Sequence, residues 1–126
     1  MKVVINTDAA VGPPNPGPAG AGYVILMQIS GEMDSAVGSV PLSPRAHHEA
    51  EYEAAILALR HAARLGATSA VLRTDSKLLV DQMCGRAKVK ATQLIQPSKR
   101  LRRQMGLPPI QLTREVESRH AARATS

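Results

Sequence analysis

The 126-residue chain has no tryptophan and no phenylalanine, and two tyrosines are its whole aromatic content. A core made without such rings rests on Val, Ile, Leu, Ala and Met. Their absence also argues against a module that binds single strands by stacking bases on aromatic faces. Cys84 is the one cysteine, which excludes an internal disulfide framework and fits a reducing compartment; it reads as a small core residue rather than a nucleophile. No apolar run is long enough to span a bilayer, and no secretory signal is visible at the N-terminus, so no membrane association and a cytoplasmic location are expected. What is present is globular in character, with 44% hydrophobic residues in a length that suits one domain over 1–126.

Charge is unevenly placed. Residues 86–126 hold ten Lys/Arg against Glu115 and Glu117, a net of +8, whereas residues 1–85 hold six against eight acids, a net of −2. A basic part beside an acidic part suggests a polyanion grip next to a carboxylate-lined site, although a solvated basic helix would look the same on charge alone.

The most informative stretch is Ala46 to Gly66, rich in Ala and Leu, free of internal Gly or Pro, and closed by a glycine suited to a left-handed C-cap. Glu51, Ala55, Ala58 and Ala62 share one stripe of that helix. The alanines invite close approach by another element, and Glu51 at the rim of such a contact must find a partner or a metal.

Around this helix the chain reads βββαβααβα. Lys2 to Asp8 is a β-branched strand ending in an acid, followed by a Pro/Gly loop from Ala9 to Gly20. Ala21–Ser30 and Ala36–Leu42 read as two more strands joined near Gly31-Glu32, making an antiparallel meander. Ser69 to Asp75 is a second strand ending in an acid, parallel to the first by the right-handed crossover preference. Ser76–Cys84 reads as a short helix. Thr92–Met105 reads as a basic helix kinked by Pro97 or starting near it. Ile110–Val116 alternates as a last strand, and Arg119–Ser126 can begin a short helix. The fold class is α/β, with a mixed central sheet, antiparallel then parallel, flanked by helices.

Asp8 and Asp75 each end a strand and Glu51 lies early in the connecting helix, so all three carboxylates can meet at one end of the sheet. Three clustered carboxylates repel one another unless a hard cation neutralises them, which points to Mg²⁺ or Mn²⁺ and to phosphoryl-transfer chemistry. A zinc peptidase is disfavoured, because after His48-Glu49 the second histidine position holds Tyr52.

Asn15-Pro16-Gly17-Pro18-Ala19-Gly20-Ala21-Gly22, His47-His48-Glu49-Ala50-Glu51-Tyr52-Glu53-Ala54, Thr74-Asp75-Ser76 and Lys88-Val89-Lys90-Ala91 occur in that order. With them, nearly the whole chain resembles a type 1 ribonuclease H of the compact bacterial/archaeal style. The meander before the Glu51 helix favours that family over exonucleases and resolvases of the same superfamily. The resemblance implies a ribonuclease H-like fold and endonucleolytic cleavage of the RNA strand of an RNA–DNA hybrid. It further implies Asp8, Glu51 and Asp75 as catalytic metal ligands for two Mg²⁺ or Mn²⁺ ions bound with substrate. Asn15, Gly17, His47, His48 and Ser76 would contact substrate, and Lys88 and Lys90, with Lys99, Arg100 and Arg103, would hold phosphates without reading sequence. A monomer or weak dimer is expected.

Three departures accompany the resemblance. Ala9 replaces a glycine after the first aspartate, and the loop has one extra residue before Asn15. His47 and His48 stand where the family usually has amides, which would add pH dependence near neutrality. Thr125 stands where the family places a fourth carboxylate, Ala121 replaces an asparagine, and the last helix would be truncated at Ser126. A hydroxyl is a far weaker metal ligand than a carboxylate. The expectation is therefore a weakened enzyme or, alternatively, a hybrid-binding module that no longer cuts.

Overall fold

A computed structural model describes residues 1–106 and 110–114. Its elements run β1 (Lys2–Val11), β2 (Gly17–Ile29), β3 (Glu32–Arg45), α1 (His47–Arg64), β4 (Ser69–Thr74), α2 (Lys77–Met83), α3 (Thr92–Met105) and β5 (Ile110–Arg114). The sheet order is β3-β2-β1-β4-β5, antiparallel across β3, β2 and β1 and parallel across β1, β4 and β5. The mixed α/β sheet is the one expected from the sequence.

The alternation Val3, Ile5, Thr7, Ala9 on β1 and Ala21, Tyr23, Ile25, Met27 on β2 puts one sheet face in the core. α1 lies on that face through Ala50, Ala54, Ala55, Ile56, Ala58, Leu59 and Ala62, and α3 packs beside α1 through Leu94 and Leu101. α1 ends as the sequence indicates. Gly66 adopts φ +91°, its N–H and that of Ala67 donate to the carbonyls of Ala63 and Ala62, and the last turn closes.

Several bounds differ from the sequence reading. β1 continues through Ala9, Ala10 and Val11, because these pair with Ala21, Gly20 and Ala19 of β2, so the loop shrinks to the residues between Val11 and Gly17. β3 is twice the expected length, since ladder pairing with β2 carries Ser, Gly and Pro positions that have little strand preference of their own. Its hairpin is a two-residue turn at Ser30 and Gly31, both at positive φ, the geometry that matches strand twist. α3 keeps the bounds read from the sequence, Thr92–Met105 with Pro97 inside, and does not start late at the proline; burial of Leu94 and Leu101 outweighs the local preference. Cys84 is exposed at the end of α2, not in the core. The continuation of β5 to Val116 and the helix expected from Arg119 lie outside the described residues.

Gly38 on β3 faces the ring of Tyr23, and a Cβ there would overlap it. The ring is buried, and its hydroxyl shares a 2.8 Å hydrogen bond with Nδ1 of His61, so it cannot swing aside freely. Gly38→Ala is expected to cost about 1–3 kcal/mol by overpacking. In a thermal melt, an unchanged midpoint would show that the ring relocates without loss.

Candidate active site

Two strand ends and one helix start build the site. Pairing between β1 and β4 stops at Asn6 and Arg73, so Asp8 on β1 and Asp75 just after β4 both emerge at the carboxyl end of this parallel pair. The first turn of α1 is held over the same end from two sides. Asn15 Oδ1 accepts from the His47 N–H (3.1 Å), and Glu49 Oε1 accepts from the Ala46 N–H (3.3 Å), which satisfies donors that the helix leaves open. α2 begins immediately beyond Asp75, with Ser76 as its N-cap accepting from the Leu79 N–H at 3.2 Å.

These elements enclose a cleft of about 670 Å³ bordered by Asp8, Ala9, His47, His48, Glu51, Asp75, Ser76, Lys77, Leu78 and Asp81. Glu51 is not at a rim: it is 3% exposed. One oxygen takes an ion pair from His47 Nε2 (2.9 Å), and the other accepts from the Thr74 hydroxyl (3.5 Å). Thr74 Oγ1 in turn accepts from the Ser76 N–H at 3.2 Å, which joins the end of β4 to the start of α2. Burial pushes the Glu51 carboxyl up from 4.5 to about 7; the charge of Asp75 adds to this, as does that of Asp8, while His47 and the Thr74 hydroxyl oppose it. Glu51 thus feels the charges of both aspartates across the cleft. Among the described residues, no three His, Cys, Asp or Glu side chains stand close enough together to hold a metal ion as they are placed here.

Of the residues singled out in the sequence, Asp8, His47, His48, Glu51, Asp75 and Ser76 come together here. Asn15 serves α1 as a cap. Gly17 opens β2 where a Cβ would overlap the Pro14 carbonyl oxygen, so the residue is required by the loop backbone. Lys88 and Lys90 lie on the segment after α2 and do not border the cleft. Lys99 and Arg103 project from α3, and Arg100 is engaged by Glu53, beside Arg45 at 3.9 Å. Thr125 lies outside the described residues. Sequence reasoning missed Thr74, Lys77 and Asp81. Lys77 Nζ reaches Asp81 Oδ2 at 2.6 Å and Arg86 Nε reaches Oδ1 at 3.1 Å, and these hydrogen bonds hold the Asp81 carboxyl below its usual range. The i, i+4 spacing of Lys77 and Asp81 was the available signal. Among the described residues, no helix is long and apolar enough to cross a membrane.

A sheet of this order, with carboxylates at the end of its parallel pair and a glutamate on the crossover helix, defines a ribonuclease H-like domain. Residues 6–105 match the family model described as reverse transcriptase-like. The RNase H1 of the halophilic archaeon Halobacterium salinarum NRC-1 superposes with a TM-score of 0.81 at 30% identity, covering 90% of this chain and 85% of that one. The N-terminal RNase H domain of Rv2228c from Mycobacterium tuberculosis gives 0.78 at 34%, covering 89% and 85%. LC11-RNase H1, solved in complex with an RNA/DNA hybrid, gives 0.77 at 30%, covering 89% and 83%. The chain belongs to the type 1 ribonuclease H family. It spans about a quarter (26%) of the length of the curated mycobacterial relatives it matches, at 41% identity over 99 residues.

Proposed function

We propose that this domain is an endonuclease that hydrolyses the RNA strand of RNA–DNA hybrids. The observation that carries the reading is the convergence of Asp8, Glu51 and Asp75 on one cleft at the sheet end, in a fold shared with a relative solved on such a hybrid. The chemistry of the donor set fits Mg²⁺ or Mn²⁺, since it is all carboxylate oxygen; Glu51 is raised first by burial and then by the charges of Asp75 and Asp8, and a bound cation would favour its ionised form. Asp8, Glu51 and Asp75 would hold the ions. Two such ions supply an activated water and neutralise charge on the leaving 3′-oxygen.

The remaining cleft residues present the substrate. Hydrogen bonds to 2′-hydroxyls in a wide minor groove distinguish RNA from DNA. His48 and Ser76 border the cleft for that purpose, and the Asn15 side-chain nitrogen can donate while its oxygen caps α1. His47 holds the Glu51 carboxylate at 2.9 Å. Lys88 and Lys90, on the basic segment, contact phosphates.

The test is cleavage of a labelled hybrid in Mg²⁺ and in Mn²⁺, beside single-stranded RNA, duplex RNA and duplex DNA, with Asp75→Asn as control. Hybrid-only cleavage that is lost in the variant is the expected result, with higher turnover in Mn²⁺ because it demands less ideal geometry than Mg²⁺. Equal or better turnover in Mg²⁺ would remove that metal preference. Tight hybrid binding without cleavage in either metal would instead favour the second reading, a binding module whose Thr125 has cost it the chemistry.

A further inference from the structure

Gln82, at the end of α2, is 2% exposed and makes three hydrogen bonds to three separate parts of the chain. Its side-chain oxygen accepts from the Tyr52 hydroxyl at 2.6 Å, its side-chain nitrogen donates to the Lys88 carbonyl at 3.4 Å, and its own carbonyl accepts from Arg102 Nη2 at 2.8 Å. Tyr52 is 1% exposed and directly follows Glu51 on α1. Because Tyr52 occupies the amide oxygen, the amide nitrogen is turned toward Lys88.

The segment that Gln82 reaches is neither helix nor strand. It turns back at Gly85 (φ +80°), and the N–H groups of Arg86 and Ala87 close on the Asp81 carbonyl at 2.8 and 3.0 Å. Beyond that point Val89 and Ala91 pack against the core, while Lys88 and Lys90 alternate outward and are exposed. The buried Tyr52 hydroxyl needs an acceptor at position 82, which an aliphatic side chain would not supply; an amide brings a donor as well, and the Lys88 carbonyl takes it.

We infer that Gln82 is a positioning residue whose amide fixes the segment carrying Lys88 and Lys90, so that the two lysines form one cationic surface beside α2 that takes the phosphodiester backbone of the hybrid outside the carboxylate cleft. This rests on the hybrid-binding reading above. α2 starts at the cleft and carries Gln82 in its last turn, so about 8 Å of helix separates the cleft-lining Lys77 from Gln82. The tether from Tyr52 therefore ties the distance between phosphate grip and carboxylates to the helix that carries Glu51.

The test compares Gln82→Met, which keeps the volume, and Tyr52→Phe, which removes only the hydroxyl, with the Lys88→Ala/Lys90→Ala double variant. Folding is followed by thermal melts, hybrid affinity is measured against salt in EDTA, and KM and kcat are measured with hybrid in the active metal. Gln82→Met is expected to raise KM and Kd roughly tenfold, leave kcat within about twofold, and lower the slope of log K against log salt by about 1–2, the loss of one or two phosphate contacts. Tyr52→Phe moves the same way by less. Adding Gln82→Met to the lysine variant produces no further change in slope, because both act through the same contacts. A lower melting midpoint with an unchanged slope, or additive effects with the lysine variant, overturns the inference while leaving the hybrid reading intact. A wild-type protein without affinity for hybrid overturns both.

Discussion

Glu51→Gln is expected to abolish hybrid cleavage, by on the order of 10³-fold or more, and at the same time to stabilise the metal-free protein above pH 7. Glutamine keeps the shape of the side chain and removes the charge that the cleft would use to hold a cation. The stability gain follows from the same burial. With a folded pKa of about 7 against an ordinary 4.5, the Glu51 carboxyl binds its proton more tightly in the folded chain than in the unfolded one. Stability is therefore full below about pH 4.5, falls as pH rises toward 7, and stays low beyond it, by on the order of 3 kcal/mol. Glutamine never ionises, so this descent should disappear. In EDTA at pH 8 the variant should melt roughly 10 °C above the wild type, and at pH 4.5 the two should converge. Mg²⁺ or Mn²⁺ should raise the wild-type midpoint more at pH 8 than at pH 5 and move the variant less. A variant that melts lower than wild type at pH 8 would show that the His47 ion pair outweighs the desolvation.

The second large effect lies where α1 meets the sheet. Ala9 of β1, Ala21 of β2 and Ala50 and Ala54 of α1 form a cluster whose buried members are all alanine, with Val11, Leu42 and Leu57 packed at its edge and Ala50 and Ala54 fully enclosed. No larger side chain fits while helix and strands keep their separation. Ala54→Leu should cost about 1–3 kcal/mol and lift the first turns of α1 from β1. Glu51 sits one turn before Ala54, and Asp8 precedes Ala9, so the lift separates two of the three carboxylates. Displacement on the scale of 1 Å is expected to lower kcat on the order of 10²-fold. Ala62→Leu supplies the comparison, since Ala62 is equally buried but lies near the far end of the helix. It should destabilise by a similar amount and leave cleavage within about threefold at a temperature where both variants are folded. Equal losses of activity would mean that general loosening, not the carboxylate spacing, is responsible.

The residue pattern carried some of these features openly and hid others for physical reasons. β-branched alternation in Val3, Ile5 and Leu72, and the alanine stripe of α1, are local signals that tertiary structure keeps. The three acids were legible because a strand–helix–strand crossover brings its ends together whatever the side chains between. The length of β3 was not legible. Ser35, Gly38 and Pro41 carry no strand preference, and their conformation is imposed by β2 and by the Ser30-Gly31 turn. Nor was the pairing of Tyr52 with Gln82, which lie 30 residues apart and meet only once α1 and α2 are packed. The burial of Glu51 escaped for a related reason: helical spacing says which face a side chain takes, but not how far the neighbouring strand extends past it.

That extension has its own consequence. β1 is matched by β2 as far as Val11 but by β4 only as far as Asn6. Two neighbouring strands of unequal length make a stair in the sheet, and Asp8 stands on its tread. Because β4 gives way to Asp75 and the Ser76 cap of α2 where β1 runs on, the edge of β1 at Asp8 is left uncovered on that side, and it is this step between strands that opens the cleft.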